Sequence, residues 1–247
     1  LAHHFFLSGN FIPGETAILE GENAHHALRV LRLGVGDTVT LADGRGRGFL
    51  GEIVDVQKDR AIVMIKNSLQ SPEPRVKITL YQGFPKGDKM DFIIEKCTEL
   101  GVTRIVVLTT ERSIPRPDTK ALMRRRERWQ QKARAAAGQS RRHLIPPVDG
   151  PVELQTALAN LKPGTLLLIP WEEEKCRTLR SALAGFQGTG EIAVLIGPEG
   201  GLSQTEVLLA QSFGGVPVTL GPRILRTETA GLVCLTAIMY ALGELGG

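Results

Sequence analysis

Cysteine is scarce: three residues, Cys97, Cys176 and Cys234, are spread far apart along 247. They are odd in number and form no C-x-x-C, which speaks against a disulfide framework and leaves them as reduced packing residues. No apolar run approaches the roughly 18 residues of a membrane span. Leu1-Ala2-His3-His4 lacks a basic region followed by an apolar core, so no leader and no membrane partner are expected, and the protein is expected to be cytoplasmic. Neither G-x-G-x-x-G nor G-x-x-x-x-G-K-[ST] stands at a strand-helix junction, which disfavours a dinucleotide or nucleoside triphosphate site. His3, His4, His25 and His26 come in pairs without a third ligand at suitable spacing, and no metal site is expected.

What is present is ordinary globular material, 42% hydrophobic and 23% charged, enough for one large or two modest domains. The net charge of +4 conceals an uneven distribution: Lys and Arg number 7 against 9 Asp and Glu over residues 1–73, 17 against 8 over 74–150, and 6 against 9 over 151–247. The middle third carries the positive excess. Such a concentration is the footprint of a polyanionic partner or, in the plainer alternative, a solvated helix face.

Residues 1–70 alternate short apolar segments with turns: His4 to Leu7, Thr16 to Leu19, Thr38 to Leu41, Gly48 to Val54 and Ala61 to Ile65. Asp43-Gly44 and Lys58-Asp59-Arg60 mark hairpins, and so many short strands predict a small β-barrel. One helical insert interrupts them, with Ala24, Ala27, Leu28 and Leu31 on one face and Arg29 and Arg32 on the other. Ser71-Pro72-Glu73-Pro74 cannot continue a central strand, which places a domain boundary between 1–72 and 73–247.

Beyond it, Val76 to Tyr81 reads as a strand and Gly83-Phe84-Pro85-Lys86-Gly87 as a loop. A helix from Asp88 to Leu100 follows, with Met90, Ile93, Ile94, Cys97 and Leu100 on its apolar face, then a buried strand from Val102 to Leu108. This alternation predicts an α/β fold with a parallel sheet and helices on both faces. After a break from Ser113 to Pro117, Asp118 is placed to cap a long basic helix. Leu122, Trp129, Ala133 and Ala136 form its buried side, and Arg124, Arg125, Arg128, Lys132 and Arg134 its wet side. Arg141 and Arg142 follow, and such a face would bind phosphates in a salt-sensitive way. Pro151 to Leu161 reads as an amphipathic helix and Thr165 to Pro170 as a buried strand with the acidic run Trp171-Glu172-Glu173-Glu174 at its end, a cluster that suits either a cationic ligand or a solvated loop.

The last quarter is the most informative. The apolar strand Ile192 to Ile196 runs into Gly197-Pro198-Glu199-Gly200-Gly201, a turn that brings backbone N–H groups where any Cβ would be in the way. Ser203 and Glu206 form an S-x-x-E capping box for the next helix. A second strand, Val216 to Leu220, ends in Gly221-Pro222-Arg223-Ile224-Leu225-Arg226-Thr227-Glu228-Thr229-Ala230, from which a helix runs to Leu245. That helix is apolar almost all round, through Leu232, Val233, Leu235, Ile238, Met239 and Leu242, so it must be covered on more than one side. In open parallel sheets, ligands bind outside the carboxyl ends of the strands, where both Gly-Pro loops lie.

Ile196 to Gly201 and Leu220 to Ala230, ahead of that helix, resemble the closing motifs of the SPOUT class of S-adenosylmethionine-dependent RNA methyltransferases. Within the class, GPEGG followed by LGPRILRTETA is similar to the family that methylates N3 of a uridine in 16S ribosomal RNA. His25 to Arg32, Gly36-Asp37 and Asp43 to Gly46 resemble the same family's PUA-like RNA-binding domain, and Glu95 to Val102 and Arg128 to Arg142 extend the match over most of the chain. Where that family commonly carries basic residues before Phe5-Phe6, this chain has His3-His4.

The resemblance implies a C-terminal parallel-sheet SPOUT methyltransferase domain tied in a trefoil knot, a topology almost absent elsewhere, behind a small N-terminal PUA-like β-barrel. It also implies a homodimer formed through the last helix, with 16S rRNA or the small ribosomal subunit as partner. S-adenosylmethionine would be held by Ile169, Pro170, Ile196, Gly197, Pro198, Glu199, Gly200, Gly201, Leu220, Gly221, Pro222, Ile224, Leu225, Thr229 and Ala230. From its place in the loop, Arg226 is the candidate for stabilising a uridine anion, and Glu199 or Glu228 for accepting its proton. Arg29, Arg32, Lys86, Lys89, Arg124, Arg125, Arg128, Arg141, Arg142 and Arg223 are the candidate RNA contacts. Ribose 2′-O or tRNA base methylation, and a non-catalytic RNA-binding assembly factor, remain the alternatives.

Overall fold

Alternation of apolar and polar residues sets the first strands: in β2 (Thr16–Glu20), Ala17 and Leu19 are buried while Ile18 faces outward. The structure, a computed structural model, describes residues 3–113, 119–186, 188 and 190–246. The chain divides into two units, one of Leu1–Glu73 with Ala137–Ile145, the other of Pro74–Ala136 with Pro146–Gly247.

In the first unit, β1 (His3–Phe6), β3 (Thr38–Ala42), β4 (Gly48–Gln57), β5 (Arg60–Leu69) and β2 form a curled five-stranded sheet in the order β1-β3-β4-β5-β2. β1 runs parallel to β3 and the remaining pairs are antiparallel. The small β-barrel expected from sequence takes the form of a half-barrel, with open edges at β1 and β2. Gly51 marks a register shift, and a Cβ there would stand 2.4 Å from Val63 Cγ1. α1 (Gly21–His25) and the single π-turn His26–Val30 make the helical insert, and Ala27 seals one end of a core built on Phe5, Leu19, Leu41, Ile53 and Ile65.

Residues 137–145 return to this unit through Glu73. Its carboxylate accepts from Arg142 Nε at 2.9 Å and from the backbone N–H groups of His143 and Leu144 at 2.8 and 3.0 Å. The His143 ring fills the space over Gly48, where a Cβ would clash at 2.1 Å, and stacks on His4 at 6.0 Å between centroids.

The second unit is a six-stranded, wholly parallel sheet ordered β11 (Val216–Val218), β9 (Leu166–Pro170), β10 (Glu191–Ile196), β6 (Lys77–Gly83), β7 (Arg104–Thr109) and β8 (Val148–Glu153). Its inner strands β7, β9 and β10 carry continuous apolar runs, as expected where both faces are covered. On one face pack α2 (Lys89–Glu99), Trp129 and Ala133 of α3 (Thr119–Gln139), α5 (Leu179–Leu183) and α7 (Thr227–Ala241); on the other, α4 (Leu154–Ala159) and α6 (Gln204–Ser212). The apolar stripe of α2 lies where its spacing put it, with Met90, Ile93, Ile94 and Cys97 all buried.

Several boundaries move. The helix expected from Pro151 starts at Leu154, because Val148 to Glu153 pair with β7 as an edge strand. Gly150, at φ +95°, sits so close to Val107 that a Cβ would lie 2.3 Å from its carbonyl oxygen. The strand expected to reach Leu220 stops at Val218, and the last helix stops at Ala241 rather than Leu245. Leu122 is only half-buried. The cap assigned to Asp118 lies outside the described residues. Within its own chain α7 is covered on one side, by contacts through Cys234, Leu235, Ile238 and Met239, while Val233 and Tyr240 are 38% and 70% exposed.

Candidate active site

β11, β9 and β10 are neighbours in the sheet, so their carboxyl ends open side by side. The turns that follow enclose a cavity of about 390 Å³. Each turn is shaped by local chemistry. Gly201, at φ +70°, donates its N–H to Pro198 O at 2.9 Å and closes the tight GPEGG turn. A Cβ on Gly197 would lie 2.7 Å from the Gly201 carbonyl carbon, and one on Gly83 would lie 2.6 Å from Pro198 N, so backbone meets backbone there. The next helix is fixed by the capping box: Ser203 Oγ accepts from Glu206 N–H at 3.3 Å while Glu206 accepts from Ser203 N–H at 2.9 Å.

The two loops are tied by one buried network. Thr227 Oγ1, at the start of α7, donates to Gly197 O at 2.6 Å and accepts from Gln82 Nε2 at 2.9 Å. Gln82 is fully buried at the carboxyl end of β6. It is not among the candidate residues that the motifs suggest, and it lies one residue beyond the strand read from the sequence, Val76 to Tyr81.

Of the residues expected to hold a cofactor, Pro170, Ile196, Gly197, Pro198, Glu199, Gly201, Leu220, Gly221, Pro222, Ile224, Leu225 and Ala230 line the cavity. Ile169 lies behind it in the core, the carbonyl of Gly200 accepts from Arg112 at 2.7 Å, and Thr229 sits in the first turn of α7. Ile224 contributes from a loop position while its side chain is 87% exposed. Trp171, Glu172, Lys175, Leu202, Thr219 and Thr227 also line it, and none of them belongs to the cofactor set expected from sequence. Among the described residues, the backbone N–H groups of Leu220, Ile224 and Leu225 have no intramolecular acceptor. A wall of glycine, proline and free main-chain donors, with aliphatic side chains between them, fits an adenine-bearing ligand read through its polar edge.

Arg223 and Arg226 are in the cavity wall, as is Lys89. Lys89 Nζ stands 3.0 Å from Glu199 Oε1 and 3.3 Å from Glu228 Oε2, so the two candidate proton acceptors share one ammonium. Burial pushes the Glu199 carboxyl up, but hydrogen bonds from Lys89 and from the Lys86 N–H outweigh it and hold the group below the usual carboxylate range. The Lys89 ammonium is raised, chiefly by its hydrogen bond to Glu199. Lys89 is therefore engaged at the cavity rather than free for phosphate.

Arg29, Arg32 and Arg141 are exposed in the first unit, and Lys86, Arg124, Arg128 and Arg223 in the second. Arg128 is also paired to Asp88 and Asp91 at 3.1 and 2.9 Å, and the Arg125 guanidinium lies 5.5 Å over the Phe84 ring. Arg142 corrects the expectation of a phosphate contact: it is 4% exposed and its guanidinium is spent on Glu73.

A parallel sheet whose strand exits open into such a cradle, together with a curled β-domain, defines an RNA methyltransferase of the SPOUT class with a PUA-type domain. A model of the RNA methyltransferase domain matches residues 71–239, and one of the RNA methyltransferase PUA domain matches residues 19–66. Ribosomal RNA small subunit methyltransferase E of Bacillus subtilis is 34% identical over 237 residues, 94% of this chain and 93% of that one. The protein of the same name from Mycobacterium tuberculosis is 34% identical over 229 residues, 91% of this chain and 86% of that one. A crystal structure of ribosomal RNA small subunit methyltransferase E from Neisseria gonorrhoeae bound to S-adenosyl methionine superposes with a TM-score of 0.86 at 33% identity, covering 97% of this chain and 98% of that one. The chain belongs to the ribosomal RNA small subunit methyltransferase E family.

Proposed function

We propose that this protein methylates N3 of a uridine in 16S ribosomal RNA, with S-adenosylmethionine as donor, as a cytoplasmic homodimer whose C-terminal strands and last helix form a trefoil knot. The observation that carries the reading is the glycine cradle at three adjacent strand exits, found in a chain similar along its whole length to small-subunit ribosomal RNA methyltransferases. The main chain of Gly197 to Gly201 and of Leu220 to Leu225 would hold the cofactor's adenosine. When bound, S-adenosylmethionine supplies an electrophilic methyl group on a sulfonium. The protein's share is then mostly alignment of the two reactants.

Uridine N3 must lose a proton before it attacks. Arg226, in the cavity wall at the N-terminal boundary of α7, favours the anion by its charge. Glu199, kept ionised beside Lys89, or Glu228 takes the proton. Arg29, Arg32, Arg124, Arg128, Arg141 and Arg223 supply salt-sensitive attraction to the RNA backbone. The exposed Val233 and Tyr240 on α7 support a second copy as its other cover. The boundary between an RNA-binding part and a catalytic part falls at the Ser71 to Pro74 linker, with 137–145 added to the former.

Nucleoside mass spectrometry of 16S rRNA from a strain lacking the gene, with and without complementation, is the test. Loss and recovery of one 3-methyluridine are expected, and complementation with Arg226→Ala should restore it poorly. A ribose-methylated or tRNA product, or an unchanged nucleoside profile, would replace this reading with one of its alternatives.

A further inference from the structure

The turn after β9 contributes a wall of the cavity that main-chain recognition of adenosine leaves without a task. Of its three consecutive acids only Glu172 lines the cavity. Glu174 is committed to its own loop, where it accepts from Cys176 N–H at 2.7 Å and Arg177 N–H at 2.9 Å. The Glu172 carboxylate instead lies against the GPEGG turn, so close that a Cβ on Gly201 would stand 2.5 Å from its Oε1. Among the described residues no ion pair or hydrogen bond engages that carboxylate. The other acid in the wall, Glu199, is already bound to Lys89. Lys175 stands in the same wall, anchored by a hydrogen bond from Nζ to the Glu172 carbonyl, with two further N–H donors left over.

One uncommitted carboxylate and one tethered ammonium, both in the lining of a site for an adenosine, match the two charges of an amino-acid tail. The geometry points to Glu172 as the acceptor for the α-ammonium of the methyl donor and to Lys175 as the partner of its carboxylate, an assignment that rests on the S-adenosylmethionine reading above. An ammonium is the better match for Glu172 than a sulfonium. It offers three N–H donors to the carboxylate's open lone pairs, and a sulfonium offers none. Because this side chain is exposed, its contribution comes from close charge-assisted hydrogen bonds and not from attraction at a distance.

Isothermal titration calorimetry of the full chain with S-adenosylmethionine, S-adenosylhomocysteine and 5′-methylthioadenosine tests this without relying on activity. The first two ligands carry the amino-acid tail, the third lacks it, and only the first is a sulfonium. Glu172→Gln should weaken the first two equally, by about tenfold for one lost charge-assisted hydrogen bond, and leave methylthioadenosine binding unchanged. Lys175→Gln should do the same. Loss confined to S-adenosylmethionine would overturn the assignment in favour of a sulfonium contact, and equal loss on methylthioadenosine would overturn it in favour of a role in shaping the loop. If the wild-type chain binds all three and Glu172→Gln binds them as well, the assignment alone fails. If the wild type binds none of the three, the cofactor reading itself falls and this assignment with it.

Discussion

Gly197→Ala probes the cradle at its narrowest point. A methyl group there would sit 2.7 Å from the Gly201 carbonyl carbon and 2.8 Å from Leu202 N, both backbone atoms that cannot rotate aside. Carbon contacts are unstrained at roughly 3.5–4.0 Å, so the GPEGG turn must open by about 1 Å. Overpacking of this kind costs about 1–3 kcal/mol. In a chain of this length each kcal/mol lowers Tm by about 2–4 °C, so a drop of about 2–12 °C is expected. The functional loss should be larger than the stability loss suggests, since a displacement of about 1 Å at a reacting site costs on the order of a hundredfold in rate. Scanning fluorimetry and calorimetry with S-adenosylmethionine measure the two effects separately, with Gly185→Ala as control because a methyl group added there meets nothing within 4 Å. A Gly197→Ala protein that melts with the wild type and binds the cofactor within about twofold of it, under half a kcal/mol, would refute the claim that close backbone approach forms the site.

Thr227→Val should destabilise the protein by about 0.5–1.5 kcal/mol, because the half-buried Gly197 carbonyl loses its shorter donor and keeps only Gln82 Nε2 at 3.4 Å, while the shape is kept; an unchanged Tm would show that Gln82 or water takes over the bond. Lys89→Met should raise the Glu199 pKa, since burial then acts without the ammonium that opposes it, and carbon-detected NMR titration reads the shift; a Glu199 titration left where it is would show that Lys89 does not hold it down. The His4 ring is depressed to about 4 from 6.5, first by burial and then by the nearby His143. Between those values the unfolded chain binds the extra proton, so the stability this group contributes is complete above about pH 6.5 and is lost as pH falls toward 4, about 1–2 kcal/mol after allowance for partial exposure. His143 is shifted down as well, again mainly by burial, and acts in the same direction. Urea unfolding of wild type and His4→Gln from pH 7 to 4.5 should converge toward acid pH, and parallel curves would refute the linkage.

Local signals in the chain translated well into structure. The Ser203-x-x-Glu206 box, the apolar stripe of α2 and the continuous apolar run of β10 each depend on a few adjacent residues, and each stands where its pattern put it. Non-local partners were harder to read. Pro151 reads as the start of a helix until Val107 is seen packed against Gly150, and proline is tolerated in the strand because β8 is an edge. Arg142 looks like its exposed neighbour Arg141, and only its pairing with the distant Glu73 separates them. The two loops were recognisable as a site, but the sequence could not say which of three successive glutamates faces it, nor that one lysine from another helix would bind both Glu199 and Glu228.

The return of residues 137–145 to the half-barrel has a bearing on how the chain is made. Synthesis proceeds from the N-terminus, and the five strands are complete by Leu69. Yet the acceptor Glu73 finds its donors only when Arg142, His143 and Leu144 have left the ribosome. Until then the Glu73 carboxylate lacks those donors and the space above Gly48 stays open, so the first part of the protein to emerge is among the last to be finished.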